Sequence, residues 1–152
     1  YYSLFKNESQ HKVRTTARKI FSEGGYDFNS IIVKKIFSHQ KRNDDVVFAS
    51  GAMTDIIYPV MEMLGVRNAL CSEPIIKDGY YTGVLRRISI GHHKAKHARD
   101  YAQPLSVCYA YGDHISDLSL LQLVGHPCAV NPSSELVAEC QKNGWPILFE
   151  PR

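Results

Sequence analysis

Nothing in this sequence is apolar for long enough to span a membrane, and no signal peptide is expected ahead of the fold. A membrane partner is therefore not expected. The four cysteines, Cys71, Cys108, Cys128 and Cys140, contain no C-x-x-C pair, and three lie in apolar surroundings. They read as buried thiols of a reducing, cytoplasmic compartment. Lys and Arg are scattered and the net charge is only +3. The one dense basic cluster, His92 to Arg99, reads as a polar helix face, so a nucleic-acid partner finds no footprint. There is no internal repeat, no low-complexity segment and no linker, and 152 residues amount to one domain able to bury a core. An initiator methionine is also missing. The chain opens Tyr1-Tyr2-Ser3, from which a processed or truncated N-terminus is expected.

What is present is ordinary in bulk, 44% hydrophobic and 22% charged, and informative in order. Helical spacing of Val13, Ala17, Ile20 and Phe21 predicts a helix over Gln10–Ser22, closed by Gly24-Gly25. A second opens at Asn29 or Ser30 and runs into a polar loop from His39. Val46–Ala49 is the first clear strand, ending in Ser50-Gly51, with a helix through Ile56 to Leu64 and a stop at Gly65. Ala69–Ser72 reads as a short strand, and Ile75–Leu85 as a hairpin turning at Asp78-Gly79. A polar helix follows over His92 to Ala102. The chain closes with a strand near Cys128–Val130, a helix from Ser133 or Ser134 through Cys140, and a strand over Pro146–Phe149. Strands alternating with helices predict an α/β fold with a parallel sheet.

The stretch Leu105–Val124 organises this pattern. Val107–Tyr111 is a continuous apolar run, expected to be a strand buried on both faces. Gly112 ends it, Ser116 can cap a helix over Leu118–Val124, and Asp113 sits just past the strand's carboxyl end, where open α/β sheets place ligands. Asp113 and Asp117 flank one tight turn, and hard oxygens so placed suit Mg²⁺. Turn and capping duties explain the same two residues.

Two further places join that turn as candidates. Ser50-Gly51 offers a hydroxyl and unhindered amides ahead of a helix, an arrangement suited to anions, although a simple Ser-Gly strand end looks the same. Lys94, in Gly91-His-His-Lys94, puts a cation at a helix start, where the dipole disfavours it. Hydroxyl, ammonium and carboxylate together describe a phosphate pocket. His93 and His97 lie one turn apart, but zinc-protease chemistry needs Glu where Lys94 stands, and a surface helix is the expectation.

The order Val46-Val-Phe-Ala-Ser50-Gly51, Gly91-His-His-Lys94, Tyr111-Gly-Asp113-His-Ile-Ser-Asp117-Leu and Ala129-Val-Asn131-Pro132 resembles the haloacid dehalogenase superfamily, and within it the phosphoserine-phosphatase-like hydrolases of subfamily IB. The likeness covers about residues 30 to 152. It implies a three-layer Rossmann-like core and an Mg²⁺-dependent hydrolase of small phosphomonoesters. It implies Ser50 and Gly51 as phosphate-binding, Lys94 as the cation that neutralises phosphate and nucleophile, and Asp113 as catalytic metal ligand. Asp117 would support it at the metal, and Ser116 would contact phosphate where many relatives carry Asn.

One departure outweighs the matches. The family's nucleophile belongs to an Asp-x-Asp-x-Thr motif on a central strand, and no such motif occurs here; the nearest imitation, Asp27-Phe-Asn-Ser-Ile31, follows no buried strand. The expectation is a partial core without its first central strand over residues 28–152, preceded by the remnant of a helical cap over residues 1–27. Such a fragment would be inactive alone and inclined to self-associate through unpaired sheet edges. The alternative is a non-catalytic module that binds phosphate or a partner.

Overall fold

A computed structural model describes residues 2–24, 26–102 and 104–150 of the protein. In chain order these form a 3-10 turn (Tyr2–Phe5), α1 (Gln10–Ser22), α2 (Ser30–Lys41), β1 (Val47–Met53), α3 (Thr54–Leu64), β2 (Asn68–Lys77), β3 (Tyr80–Arg87), α4 (His92–Tyr101), β4 (Tyr109–Gly112), α5 (Leu118–Leu121), β5 (His126–Val130), α6 (Ser134–Asn143) and β6 (Ile147–Leu148), with short 3-10 turns at Leu105–Val107 and Ile115–Asp117. The fold is α/β. It divides into two compact units, Tyr1–Asp27 with Asn43–Ser89, and Phe28–Arg42 with Ile90–Arg152.

In the first unit β1 pairs parallel with β2, and β2 antiparallel with β3. Asp78 and Gly79 both take positive φ, 51° and 82°, the pair of left-handed residues that lets a two-residue turn follow the twist of its strands. Residues just ahead of α1 bond the outer edge of β3: the Asn7 N–H donates to Tyr81 O (2.8 Å) and the Tyr81 N–H to Glu8 O (3.0 Å). β1 is the end strand of this sheet. It does not stop at Ala49 as the sequence suggested. Ser50 stays in register opposite Cys71, a bulge takes up Gly51 and Ala52, and Met53 pairs with Ser72 before α3 begins at Thr54.

α1 has the bounds expected, with Ser9 at its N-cap; of the expected apolar face Ala17 is buried, whereas Ile20 is 48% exposed. One of the helix's links to the rest of the unit is Asp55, which is 5% exposed in the first turn of α3. That carboxylate accepts from Tyr81 Oη (2.8 Å), Gln10 Nε2 (3.1 Å) and Arg14 Nε (2.5 Å), so α1, α3 and β3 meet on one charge. Burial, and the bond and charge of Asp55, push the Tyr81 phenol well above its ordinary range. Met53, Leu64, Cys71 and Tyr81 are among the buried side chains of this unit.

The second unit holds a parallel sheet in the order β4-β5-β6, with β4 at its end. Its core is Ala110, Leu121, Ala129, Leu136 and Cys140, with Trp145 and Ile147 packed against it. β4 corrects the expected strand in two ways. Val107 belongs to a 3-10 turn, and Tyr109 is half exposed, so only Ala110 of the run is buried. The cause is aromatic: Tyr109 stacks on His126 at 4.4 Å between centroids, with the Arg42 guanidinium 5.5 Å over its ring. His126 is accordingly the first residue of β5 and not a loop residue.

α2 begins where Asn29 Oδ1 accepts the N–H groups of Ile31 (3.0 Å) and Ile32 (3.1 Å). Glu150 Oε1 takes the Ser30 N–H at 2.6 Å, and the hydrogen bonds from Ser30 hold the Glu150 carboxyl below its usual range. α5 is shorter than its apolar pattern predicted. It ends at Leu121, and the Gly125 N–H turns instead to Leu105 O (3.0 Å). All four cysteines are free. Cys71, Cys128 and Cys140 are buried, with burial raising the last two thiols, whereas Cys108 is partly exposed. Among the described residues no helix is long and apolar enough to cross a membrane.

Candidate functional site

The loop after β4 is built around one carboxylate. Asp117 is 7% exposed, and its Oδ2 accepts the backbone N–H groups of Asp113 (3.3 Å) and His114 (3.4 Å), which curls the loop back on the strand end. Gly112 is required there, because a Cβ at that position would lie 2.8 Å from the Asp117 Cβ. The other oxygen, Oδ1, receives Lys94 Nζ at 2.5 Å. Lys94 is itself 8% exposed in the first turn of α4. A cation misplaced for the helix dipole is thus compensated by a buried anion.

Ser116 is not the helix cap that the sequence suggested. The N-cap residue of α5 is Asp117, and His114 caps the 3-10 turn Ile115–Asp117 ahead of it: its Nδ1 accepts the Ser116 N–H at 3.2 Å and lies 3.1 Å from Ser116 Oγ, while Asp117 returns the bond to the His114 amide. Accepting an N–H fixes Nδ1 as the unprotonated ring nitrogen. The spacing His114-x-x-Asp117 is that of a capping box with an unusual first residue, which is why Ser116 drew the assignment. From β5, the Ser133 N–H donates to Asp113 O at 2.7 Å and ties the loop to the start of α6.

The Asp113 side chain is exposed and has no bonded partner among the described residues. Asp117 has both oxygens engaged, so of the two carboxylates it positions the loop and Asp113 is open. No three His, Cys, Asp or Glu side chains gather to hold a metal among the described residues. The imidazoles of His93 and His97 lie 6.5 Å apart without a third ligand. One carboxylate beside water and phosphate oxygens is within what Mg²⁺ asks of a protein, and the open Asp113 fits that share of a site.

Ser50 and Gly51 lie in the first unit, and Lys94, Asp113, Ser116 and Asp117 in the second. Within its own unit Ser50 does not stand at a helix start. Its Oγ accepts the Ala52 N–H at 3.1 Å, which leaves the hydroxyl hydrogen to donate elsewhere. Gly51 O is held by Tyr2 Oη at 2.5 Å, and Tyr2 Oη also lies 3.0 Å from Ser72 Oγ. Nothing in the sequence signals Tyr2, which meets Gly51 from 49 residues away.

The family model for haloacid dehalogenase-like hydrolases matches residues 2–122. The chain belongs to this family. A Mycobacterium tuberculosis protein named as a probable phosphatase is 38% identical over 117 residues, 74% of this chain and 41% of its own length. A histidinol-phosphatase of Neisseria meningitidis is 33% identical over 120 residues, 73% of this chain and 54% of its own. The chain therefore spans about half, or less, of these haloacid dehalogenase relatives. The fold is also that of a solved phosphoserine phosphatase with substrate bound, at a TM-score of 0.71 and 23% identity, covering 99% of this chain and 69% of that one. Within the family the chain is phosphoserine-phosphatase-like, with a Rossmann-like α/β core.

Proposed function

We propose that this chain is part of an Mg²⁺-dependent phosphomonoester hydrolase, working on a small phosphorylated metabolite through an aspartyl-phosphate. The observation that carries the reading is the buried Lys94–Asp117 pair beside the open Asp113 at the end of β4. Asp117 fixes the Lys94 ammonium and leaves its remaining N–H groups for phosphate and nucleophile oxygens. Ser50, with its hydrogen uncommitted, donates to a phosphoryl oxygen, and Gly51 and Ser116 complete the phosphate contacts. Magnesium held by Asp113 would neutralise charge as the phosphoryl group moves.

The nucleophile itself belongs to a strand with the Asp-x-Asp-x-Thr motif, absent from these residues, and residues 1–27 are the remnant of the cap that chooses the substrate. β1 and β4 support this, because each is the end strand of its sheet among the described residues. Phosphoserine and histidinol phosphate are both candidates within the class. The test is hydrolysis of p-nitrophenyl phosphate by the 152-residue chain with Mg²⁺. Turnover at background is expected, since the step that splits phosphoryl transfer into two displacements has no carboxylate to make it. Turnover abolished by Asp113→Ala would overturn the missing-nucleophile reading.

A further inference from the structure

The first unit contains a cleft, lined in part by basic side chains, that the proposed hydrolase does not use. His11, Arg14, Thr15 and Arg18 recur at steps of three and four along α1, which places them on one face of the helix. Together with Asp55, Tyr58 and Pro59 of α3 they line a cavity of about 460 Å³, within the range that small-molecule sites occupy. We propose that this cleft binds a phosphate group carried by a small molecule.

Asp55 would ordinarily repel such a ligand. Here it is 5% exposed, its oxygens already accept from Tyr81, Gln10 and Arg14, and its charge is offset by the last of these. Arg14 uses only its Nε on Asp55, and Arg18 only one terminal nitrogen on Glu62 at 2.8 Å. Each guanidinium is therefore fixed by one carboxylate while its other donors have no bonded partner among the described residues. Glu62 is not part of the lining, so two guanidiniums and an imidazole face one neutralised carboxylate. Forks held in advance lose little freedom when they close on a dianion, and planar donors match the oxygens of phosphate two at a time.

The inference stands apart from the proposed catalytic site and is separated from it by the test. Inorganic phosphate is titrated into the isotopically labelled chain at constant ionic strength, and the backbone amides of Thr15 and Tyr58 are followed by NMR. Saturable shifts are expected. Arg18→Ala, which removes an exposed side chain and leaves the Asp55 cluster intact, is expected to weaken binding at these amides by roughly tenfold or more, and Arg18→Lys by less. Lys94→Ala is expected to leave them unchanged. Absence of saturation, or saturation indifferent to Arg18→Ala, overturns the proposal. Loss of the Thr15 and Tyr58 shifts in Lys94→Ala overturns it too, by assigning the phosphate to the other site.

Discussion

Lys94 Nζ lies 2.5 Å from Asp117 Oδ1, and both residues are more than nine-tenths buried. A pair so placed is poor value as a stabiliser, because desolvating two charges offsets most of their attraction. Its worth is positional: it sets an ammonium against the loop whose amides the same carboxylate holds.

Breaking that pair from one side is therefore costly. Asp117→Ala strands a buried ammonium and frees the Asp113 and His114 amides, and is expected to lower the unfolding free energy by about 3–5 kcal/mol. The double variant Lys94→Met, Asp117→Leu is expected to recover much of that loss. Urea unfolding of both variants measures it. A single variant within about 1 kcal/mol of the parent would show that the pair is not buried as described.

Tyr81 links stability to alkaline pH. Its phenol is raised from the ordinary value of 10.0 by burial first and by Asp55 second, so the folded state favours the neutral form. The contribution is complete below about pH 10 and is lost as pH rises from there towards the folded value, because only the unfolded chain releases the proton. Tyr81→Phe removes a hydrogen bond to a charged acceptor, a loss of about 1.5–3 kcal/mol at pH 7, and is expected to flatten the alkaline fall. Thermal unfolding of parent and variant between pH 8 and 11 reads both effects. A steep alkaline fall that Tyr81→Phe leaves intact would contradict the assignment.

The positions of β1 and β4 as end strands, among the described residues, predict self-association of the chain by itself. Unpaired N–H and C=O groups along an end strand template the addition of another. Sedimentation at micromolar concentration is expected to show dimers or larger species whose share rises with concentration. A single sharp monomer boundary across that range would count against it.

Much of this fold was legible because local signals sufficed for it. The bounds of α1 follow from apolar spacing, and the hairpin from Asp78-Gly79, whose backbone angles are those the turn demands. Where the reading failed, a distant contact decided. Tyr109 looked like the interior of a buried strand until His126 and Arg42 supplied a stack for a half-exposed ring. The strand through Ser50 was cut short because Ser-Gly reads as a stop, whereas pairing with Cys71 carries it on. At the candidate site the sequence offered Asp113 as metal ligand, Asp117 in support of it and Lys94 as the cation. Only the geometry separates an open carboxylate from one fully committed to Lys94 and two amides.

Lys94, Asp113 and Ser50 are proposed to serve phosphoryl transfer once a nucleophile reaches them. A fusion carrying an apolar strand, the Asp-x-Asp-x-Thr motif and the first cap helices ahead of Tyr1 tests it most directly, assayed with Mg²⁺ against a panel of small phosphomonoesters. Mg²⁺-dependent phosphatase activity is expected, lost or greatly reduced in Lys94→Ala and Asp113→Asn. A milder loss is expected in Ser50→Ala, which removes one hydrogen bond of about 1.5–3 kcal/mol to a charged group. A folded fusion that hydrolyses none of the panel would contradict the phosphatase reading and leave a phosphate- or partner-binding module in its place.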